Sequence, residues 1–327
     1  MTSSRKIRLD RRAFNGLPLL ALAAPPRSWA QAYPSRPIRA IVNFPPGGPL
    51  DLVAREVTTW LADSLKQTIV VENVSGASGH IGAGVVARAE PDGHTILLSI
   101  DAPFTSGPWL ARQLPYPADA LRPVAMLGTT SLLVAAHPSL GVSTLEELVE
   151  RGRREEITVS TPGIGGPGHF GALLLADLTG IRVNPIHYRG NAPAVMALLS
   201  GEVKAGVLAT TGLLPHVRSG KIKALAAAGP QRSALLPELK TVAELGYPKF
   251  TLQTMFLAMV PSKTQDAVVQ KLYHEFSAVM RRPDLQERLR QMDILADSLG
   301  PPQTSNALAA ARAEYGRIAK LTNMQPE

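Results

Sequence analysis

The segment Phe44-Pro45-Pro46-Gly47-Gly48-Pro49-Leu50-Asp51 sets two glycines and a carboxylate between an apolar strand-like run, Ile38 to Val42, and a helical pattern. The prolines stop the strand, the glycines let bare N–H groups approach a partner closely, and Asp51 is suited to cap the helix. A helix N-terminus behind such a turn has unpartnered N–H groups and the positive end of the helix dipole, so it can hold an anion. The same residues can also make a tight turn without a ligand. Three more turns share the pattern: Val74 to Gly82, Ser160 to His169, and Tyr188-Arg189-Gly190-Asn191-Ala192-Pro193. Four strand-to-helix turns of this kind imply N-termini converging on a cleft, a geometry that suits a carboxylate better than a metal.

Single side chains add to this. Arg189, in a turn before a helix, can clamp a carboxylate with two parallel hydrogen bonds or stay solvated. Asp101, at a strand end between Ile100 and Ala102, can accept from a ligand hydroxyl or amine or cap a turn. His169 reads as a hydrogen-bonding residue within its own turn, and Asp51 as a helix cap before a general base. The seven histidines are scattered, with no i, i+4 pair for a metal. Gly163 to Gly168 lacks the Lys-Ser/Thr ending of a phosphate loop, and Gly47-Gly48 lacks the third glycine of a dinucleotide fingerprint. There is no Gly-x-Ser-x-Gly elbow. We therefore expect no metal, no cofactor and no enzyme.

The chain has 327 residues and no cysteine, which excludes disulfides, thiolate sites and a lipid-modified N-terminal cysteine. Residues 1–32 read as an export signal: Arg5, Lys6, Arg8, Arg11 and Arg12, a short apolar core from Leu17 to Ala24, and Ala30-Gln31-Ala32 for cleavage after Ala32. Arg11-Arg12-Ala13-Phe14 resembles a twin-arginine signal, while Asp10 and Asn15 depart from it. This segment carries a net +5 of the chain's +8, so the remainder is only +3. No basic stripe with interleaved aromatics remains, and nucleic acid is set aside.

Strand-length apolar runs (Ile38–Val42, Ile69–Val71, Thr95–Leu98, Ser131–Ala135, Ile157–Ser160, Ala205–Leu208, Lys223–Ala227) alternate with amphipathic patterns such as Val53, Val57, Trp60, Leu61 and Leu65. Ser143-Thr144-Leu145-Glu146 reads as a capping box, and helices are expected over Thr264–Met280, Asp284–Met292 and Ser305–Leu321. The expectation is an α/β fold of mainly parallel sheets flanked by helices. Two long apolar stretches, Val124 to Ala136 and Phe250 to Val260, can carry the chain between lobes. Lobe 1 is then 33–131 plus 255–327, lobe 2 is 132–254, and the ligand cleft lies between them.

Ordered motifs cover almost the whole chain after residue 32: Phe44-Pro45-Pro46-Gly47-Gly48 with Asp51, Val71-Glu72-Asn73 before Gly76-Ala77-Ser78-Gly79, Pro91-Asp92-Gly93-His94-Thr95, Tyr188-Arg189-Gly190 with Ala192-Pro193, Leu214-Pro215-His216, and Thr241-Val242-Ala243-Glu244-Leu245-Gly246. On these the sequence resembles the Bug family, the TctC-like extracytoplasmic solute receptors of tripartite tricarboxylate transporters. The resemblance implies a two-lobed periplasmic binding protein of type II-like fold, a monomer that closes on a small carboxylate. It implies delivery to membrane permease subunits; a sensor docking to a histidine-kinase ectodomain is the alternative, and an exported hydrolase a weaker one. It assigns ligand contacts to Phe44, Gly47, Gly48 and Asp51 on one side, and to Ser160, Thr161, Gly165, His169, Arg189, Gly190 and Asn191 on the other. Departures from the family pattern fall at His80, Ile100 to Phe104, Arg189, Lys204 and Leu208 to Gly212. From these, Asp101, Ala102, Thr210 and Thr211 join Arg189 as expected specificity residues.

Overall fold

The computed structural model describes residue 2, residues 33–110, 113–322 and 324. The expected export signal lies outside those residues but for Thr2. Residues 33 onward form one compact unit. Strand β1 (Ile38–Val42) leads through the first glycine turn into α1 (Pro49–Leu65), and β2 (Ile69–Asn73) through the second into α2 (His80–Ala87). Next come β3 (Thr95–Ile100), the short helices α3 (Ala102–Thr105) and α4 (Gly107–Leu110), and the long strand β4 (Leu121–Ala136). Alternation continues with α5 (Leu145–Arg154), β5 (Ile157–Thr161), α6 (Pro167–Thr179), β6 (Val183–His187), α7 (Asn191–Ser200), β7 (Ala205–Ala209), α8 (Thr210–Arg218) and β8 (Lys223–Ala227). The chain closes with β9 (Gln253–Pro261), α9 (Asp266–Met280), α10 (Pro283–Gln291), β10 (Ile294–Leu299) and α11 (Pro301–Leu321).

The strands form one mixed sheet in the order β2-β1-β3-β9-β4-β7-β5-β6, with β10 and β8 also paired to β4. Parallel pairing holds in the two wings, β2-β1-β3 and β6-β5-β7. Antiparallel pairing enters at the centre, where the chain leaves one wing along β4 and returns along β9. The start of β4 pairs with β9 and β10, and its end with β7 and β8. The long apolar stretch from Val124 thus crosses from wing to wing as one strand of 16 residues. Each wing has apolar cores on both faces, one built on Val53, Val57, Phe256 and Phe276 and another on Leu148, Phe170, Leu174 and Phe250. Helix α11 touches both wings: Leu308 packs beside Met126 and Leu257, while Tyr315 sits edge-on to Phe170 at 4.8 Å between ring centroids.

Local readings shift in three places. The N-cap of α5 is Thr144, whose hydroxyl accepts from Glu147 N at 3.2 Å while Glu147 accepts from Ser143 N, so the capping box sits one residue later than expected. Helix α1 starts at Pro49 behind Gly48, which places Asp51 at its third position and not at the cap. Strand β10 and helix α8 are not among the elements read from the sequence, and β6, implied by the fourth turn, is not delimited there. Pro185 hides β6, and it is tolerated because β6 is an edge strand paired to β5 alone. Thr210, Thr211, Gly212 and Pro215 hide α8. Among the described residues no helix is long and apolar enough to cross a membrane.

Candidate functional site

The first turn is held open by Asp51. This carboxylate is 4% exposed. It accepts from Gly47 N at 3.0 Å, from Arg55 Nε at 3.0 and 3.1 Å, and from Asn73 Nδ2 at 2.9 Å. Burial alone would raise its pKa, yet the hydrogen bonds from Arg55, Gly47 and Asn73 together hold it below the usual carboxylate range. Its acceptor capacity is committed to the turn, so it shapes the site without facing a ligand. Gly48 offers no side-chain oxygen to the first N–H groups of α1, which leaves that end open to an external acceptor.

The second turn carries backbone strain. Ala77 and Ser78 both sit in the left-handed region, at φ 45° and 51°, which costs a non-glycine residue about 1–2 kcal/mol each. Gly76 and Gly79 flank them, also at positive φ. The payoff is positional: Ser78 Oγ reaches across to donate to Ile164 O at 2.9 Å. Asn43, wholly buried, fixes the base of this turn by donating to Gly79 O at 3.0 Å and Ser99 Oγ at 2.9 Å.

The third turn leads into α6, whose cap is Gly166 and first residue Pro167. Gly165 N donates to His169 Nδ1 at 3.1 Å, and Ser106 Oγ donates to Gly165 O. His169 stacks edge-on against His187 with 4.4 Å between ring centroids, and burial, with His187 beside it, pushes its pKa down to about 4. It is therefore a neutral acceptor near pH 7. Thr161 Oγ1 bonds to His187 Nδ1 at 2.7 Å. In the fourth turn Gly190 has φ 111°, and a Cβ there would stand 3.3 Å from Pro45 Cγ, so here the first and fourth turns meet. Asn191 Oδ1 accepts from Ala209 N at 3.1 Å and ties the start of α7 to the end of β7.

Between these turns lies a cavity of about 580 Å³. Its walls include all four turns, the start of α7, Ala209 before α8, and a floor of Ile100, Thr130, Leu132, Thr254 and Phe256. Arg189 is the one fully charged side chain in that wall; it is exposed and has no ion pair or hydrogen bond among the described residues. Glycine-capped helix N-termini and a guanidinium against an otherwise uncharged wall have the chemistry to hold an anion. The described residues contain no cluster able to hold a metal ion.

Of the residues expected at the site, the structure brings Phe44, Gly48, Ala102, Arg189, Gly190 and Asn191 into the cavity wall. Gly47, Asp51, Ser160, Thr161, Gly165 and His169 are not in that wall; Gly47 is exposed, Asp51, Ser160, Thr161 and Gly165 are buried, and Asp51 and His169 hold turn N–H groups. Asp101 points elsewhere: it is 0% exposed and accepts from Met255 N at 3.0 Å and Thr105 Oγ1 at 3.2 Å. Thr210 Oγ1 donates to Ser131 O at 3.1 Å and Thr211 Oγ1 to Met292 O at 2.7 Å, so both hydroxyls join elements instead of facing the cavity. His80 bonds to Tyr116 Oη at 2.9 Å, and Lys204 Nζ to Ser139 Oγ at 3.2 Å. Sequence reasoning missed the lining by Ser75 to Gly79, although it had found that turn. It also missed the floor, whose strand residues carry only an apolar signal shared with any core.

The profile described as "Tripartite tricarboxylate transporter family receptor" matches residues 53–323. Protein BugT of Bordetella pertussis is 35% identical over 297 residues, covering 90% of this chain and 91% of that protein. Among solved structures, a protein of R. palustris with adipate has a TM-score of 0.87 at 25% identity, covering 90% of this chain and all of the other. The periplasmic binding protein BugD has a TM-score of 0.84 at 30% identity, covering 90% and 100%. MatC from Rhodopseudomonas palustris with bound malate has a TM-score of 0.81 at 28% identity, covering 88% and 99%.

Proposed function

Because this chain belongs to the receptor family of tripartite tricarboxylate transporters, we propose that it captures a small organic carboxylate in the cavity between its two sheet wings and delivers it to the membrane permease subunits of such a transporter. The observation that carries this reading is Arg189, the lone unpaired charge in a wall of glycine turns and helix N-termini. The carboxylate meets the open N–H groups of these turns and the guanidinium, while the apolar floor holds the rest of the molecule. Adipate and malate in similar structures support an acid as ligand. In this reading the protein acts in the periplasm as a monomer, with residues 1–32 removed after Ala32. Lobe 1 is 33–131 plus 255–327 and lobe 2 is 132–254, with closure about β4 and β9.

No observation favours the sensor or the hydrolase. Among the described residues Thr161 pairs with His187 at 2.7 Å and Ser139 with His137 at 2.8 Å, and neither hydroxyl residue is in the cavity wall. The test is a thermal-shift panel of the purified, dialysed protein with organic acids and their amides. A bound acid raises the midpoint by several degrees at saturating concentration, and its amide does not. Equal shifts by acid and amide, or no shift by any acid, overturn the carboxylate reading.

A further inference from the structure

Resting on that carboxylate reading, we infer that the ligand is a monocarboxylate with an apolar aliphatic or aromatic body and one hydrogen-bonding group far from its carboxylate. The cavity is polarised from one side to its floor. Arg189 is exposed at one side of the cavity, with buried Gly190 and half-buried Asn191 next to it in the wall. The floor is a patch of sheet: Ile100 pairs with Phe256 across β3 and β9, and Thr130 with Thr254 across β4 and β9. Because side chains alternate along a strand, Thr254 and Phe256 share one face of β9, and Thr130 and Leu132 one face of β4. All of them line the cavity, together with Ile100. No cation is among them.

A second carboxylate at that floor would lose its water against partly exposed Ile100, with Leu132 and Phe256 buried in the cores behind it and no positive partner, which is unfavourable. A volume of about 580 Å³ exceeds what a very short acid fills and lies within the range of small-ligand pockets. The patch holds one polar exception. Thr130 Oγ1 is committed to Asp293 O at 3.0 Å. Thr254 is 8% exposed, and its hydroxyl has no hydrogen-bond partner among the described residues and is not sealed from solvent. A hydroxyl or keto oxygen on the ligand would take the place of water there.

The test is titration calorimetry on the dialysed wild-type protein with acetate, butanoate, hexanoate, 6-hydroxyhexanoate, adipate, malate and hexanamide. Affinity should rise about fourfold per methylene up to hexanoate. Adipate, which differs from hexanoate by a terminal carboxylate in place of a methyl, should bind at least tenfold more weakly. 6-Hydroxyhexanoate should exceed hexanoate, and Thr254→Val should narrow that advantage. Ile100→Lys, which adds a cation at a partly exposed floor position, should reverse the order in favour of adipate. Adipate or malate binding wild type as tightly as hexanoate overturns this inference and leaves the carboxylate reading standing. Hexanamide matching hexanoate, or no acid binding at all, overturns the carboxylate reading itself.

Discussion

Ser78 Oγ donates to Ile164 O across 2.9 Å, linking the turn after β2 to the turn after β5 over a sequence separation of 86 residues. These turns belong to opposite wings of the sheet, so the bond exists only while the wings are together; under the proposed closure it would favour the closed form.

Removing that hydroxyl should weaken ligand binding and spare the fold. One exposed hydrogen bond contributes about 0.5–1.5 kcal/mol, so Ser78→Ala should raise Kd by about 2- to 12-fold, mostly through faster dissociation. Stopped-flow kinetics with a bound acid checks this. An unchanged dissociation rate would remove the latch role.

Arg189 should separate charge from geometry. A charge-assisted contact is worth about 1.5–3 kcal/mol, so Arg189→Ala should lose about 10- to 150-fold in acid affinity while thermal stability without ligand stays the same, because the side chain is exposed and unpaired. Arg189→Lys should recover part of the loss, as a point charge without the planar fork. Calorimetry on both variants decides it; full recovery by lysine would mean that the fork is not used.

Asp101 gives a pH signature. Full burial raises its pKa to about 6, with hydrogen bonds from Met255 and Thr105 offsetting only part of the effect. Between these two values, about pH 4 to 6, the folded state holds a proton that the unfolded chain, near 3.8, has lost. The stabilising contribution is complete below about pH 4 and is lost as pH rises through 6. Asp101→Asn cannot titrate, so wild type should lose stability relative to the variant by on the order of 2–3 kcal/mol between pH 4 and 7.5. Urea denaturation at several pH values measures this, and a pH-independent difference would contradict it.

Gly168 tests the fit of α6 on β7. A Cβ at this position would lie 2.3 Å from Val207 O and 2.8 Å from Pro162 Cδ. Both partners are rigid, so Gly168→Ala must shift the start of the helix and should cost about 1–3 kcal/mol in chemical denaturation. Ligand affinity should fall with it, since Gly168 also lines the cavity.

The glycine turns were legible in the sequence because their signal is local. Pro-Pro-Gly-Gly after a β-branched run, or Gly-Gly-Pro-Gly before an apolar helix, limits the backbone within a few residues. The place of Arg189 in the cavity wall was legible for the same reason: it sits inside such a turn. The floor was not, because Leu132, Thr254 and Phe256 look like ordinary strand residues until the register of β4 and β9 puts them on one face. Asp101 and Thr211 misled for the opposite reason. A polar residue at a strand end looks available, and its partner can be anywhere in the chain.

By itself the sequence determined the alternation of strands and helices, the glycine-capped helix starts and the family, since each depends on short-range backbone preference and hydrophobic period. Only the tertiary structure decided which polar groups remain for a ligand. Asp101 is taken by Met255 N, 154 residues away, and Thr211 by Met292 O, 81 residues away, whereas Arg189 and the Thr254 hydroxyl have no protein partner among the described residues. A buried polar group takes whatever partner folding brings beside it, and that partner is fixed by packing across the whole chain, not by its neighbours in sequence.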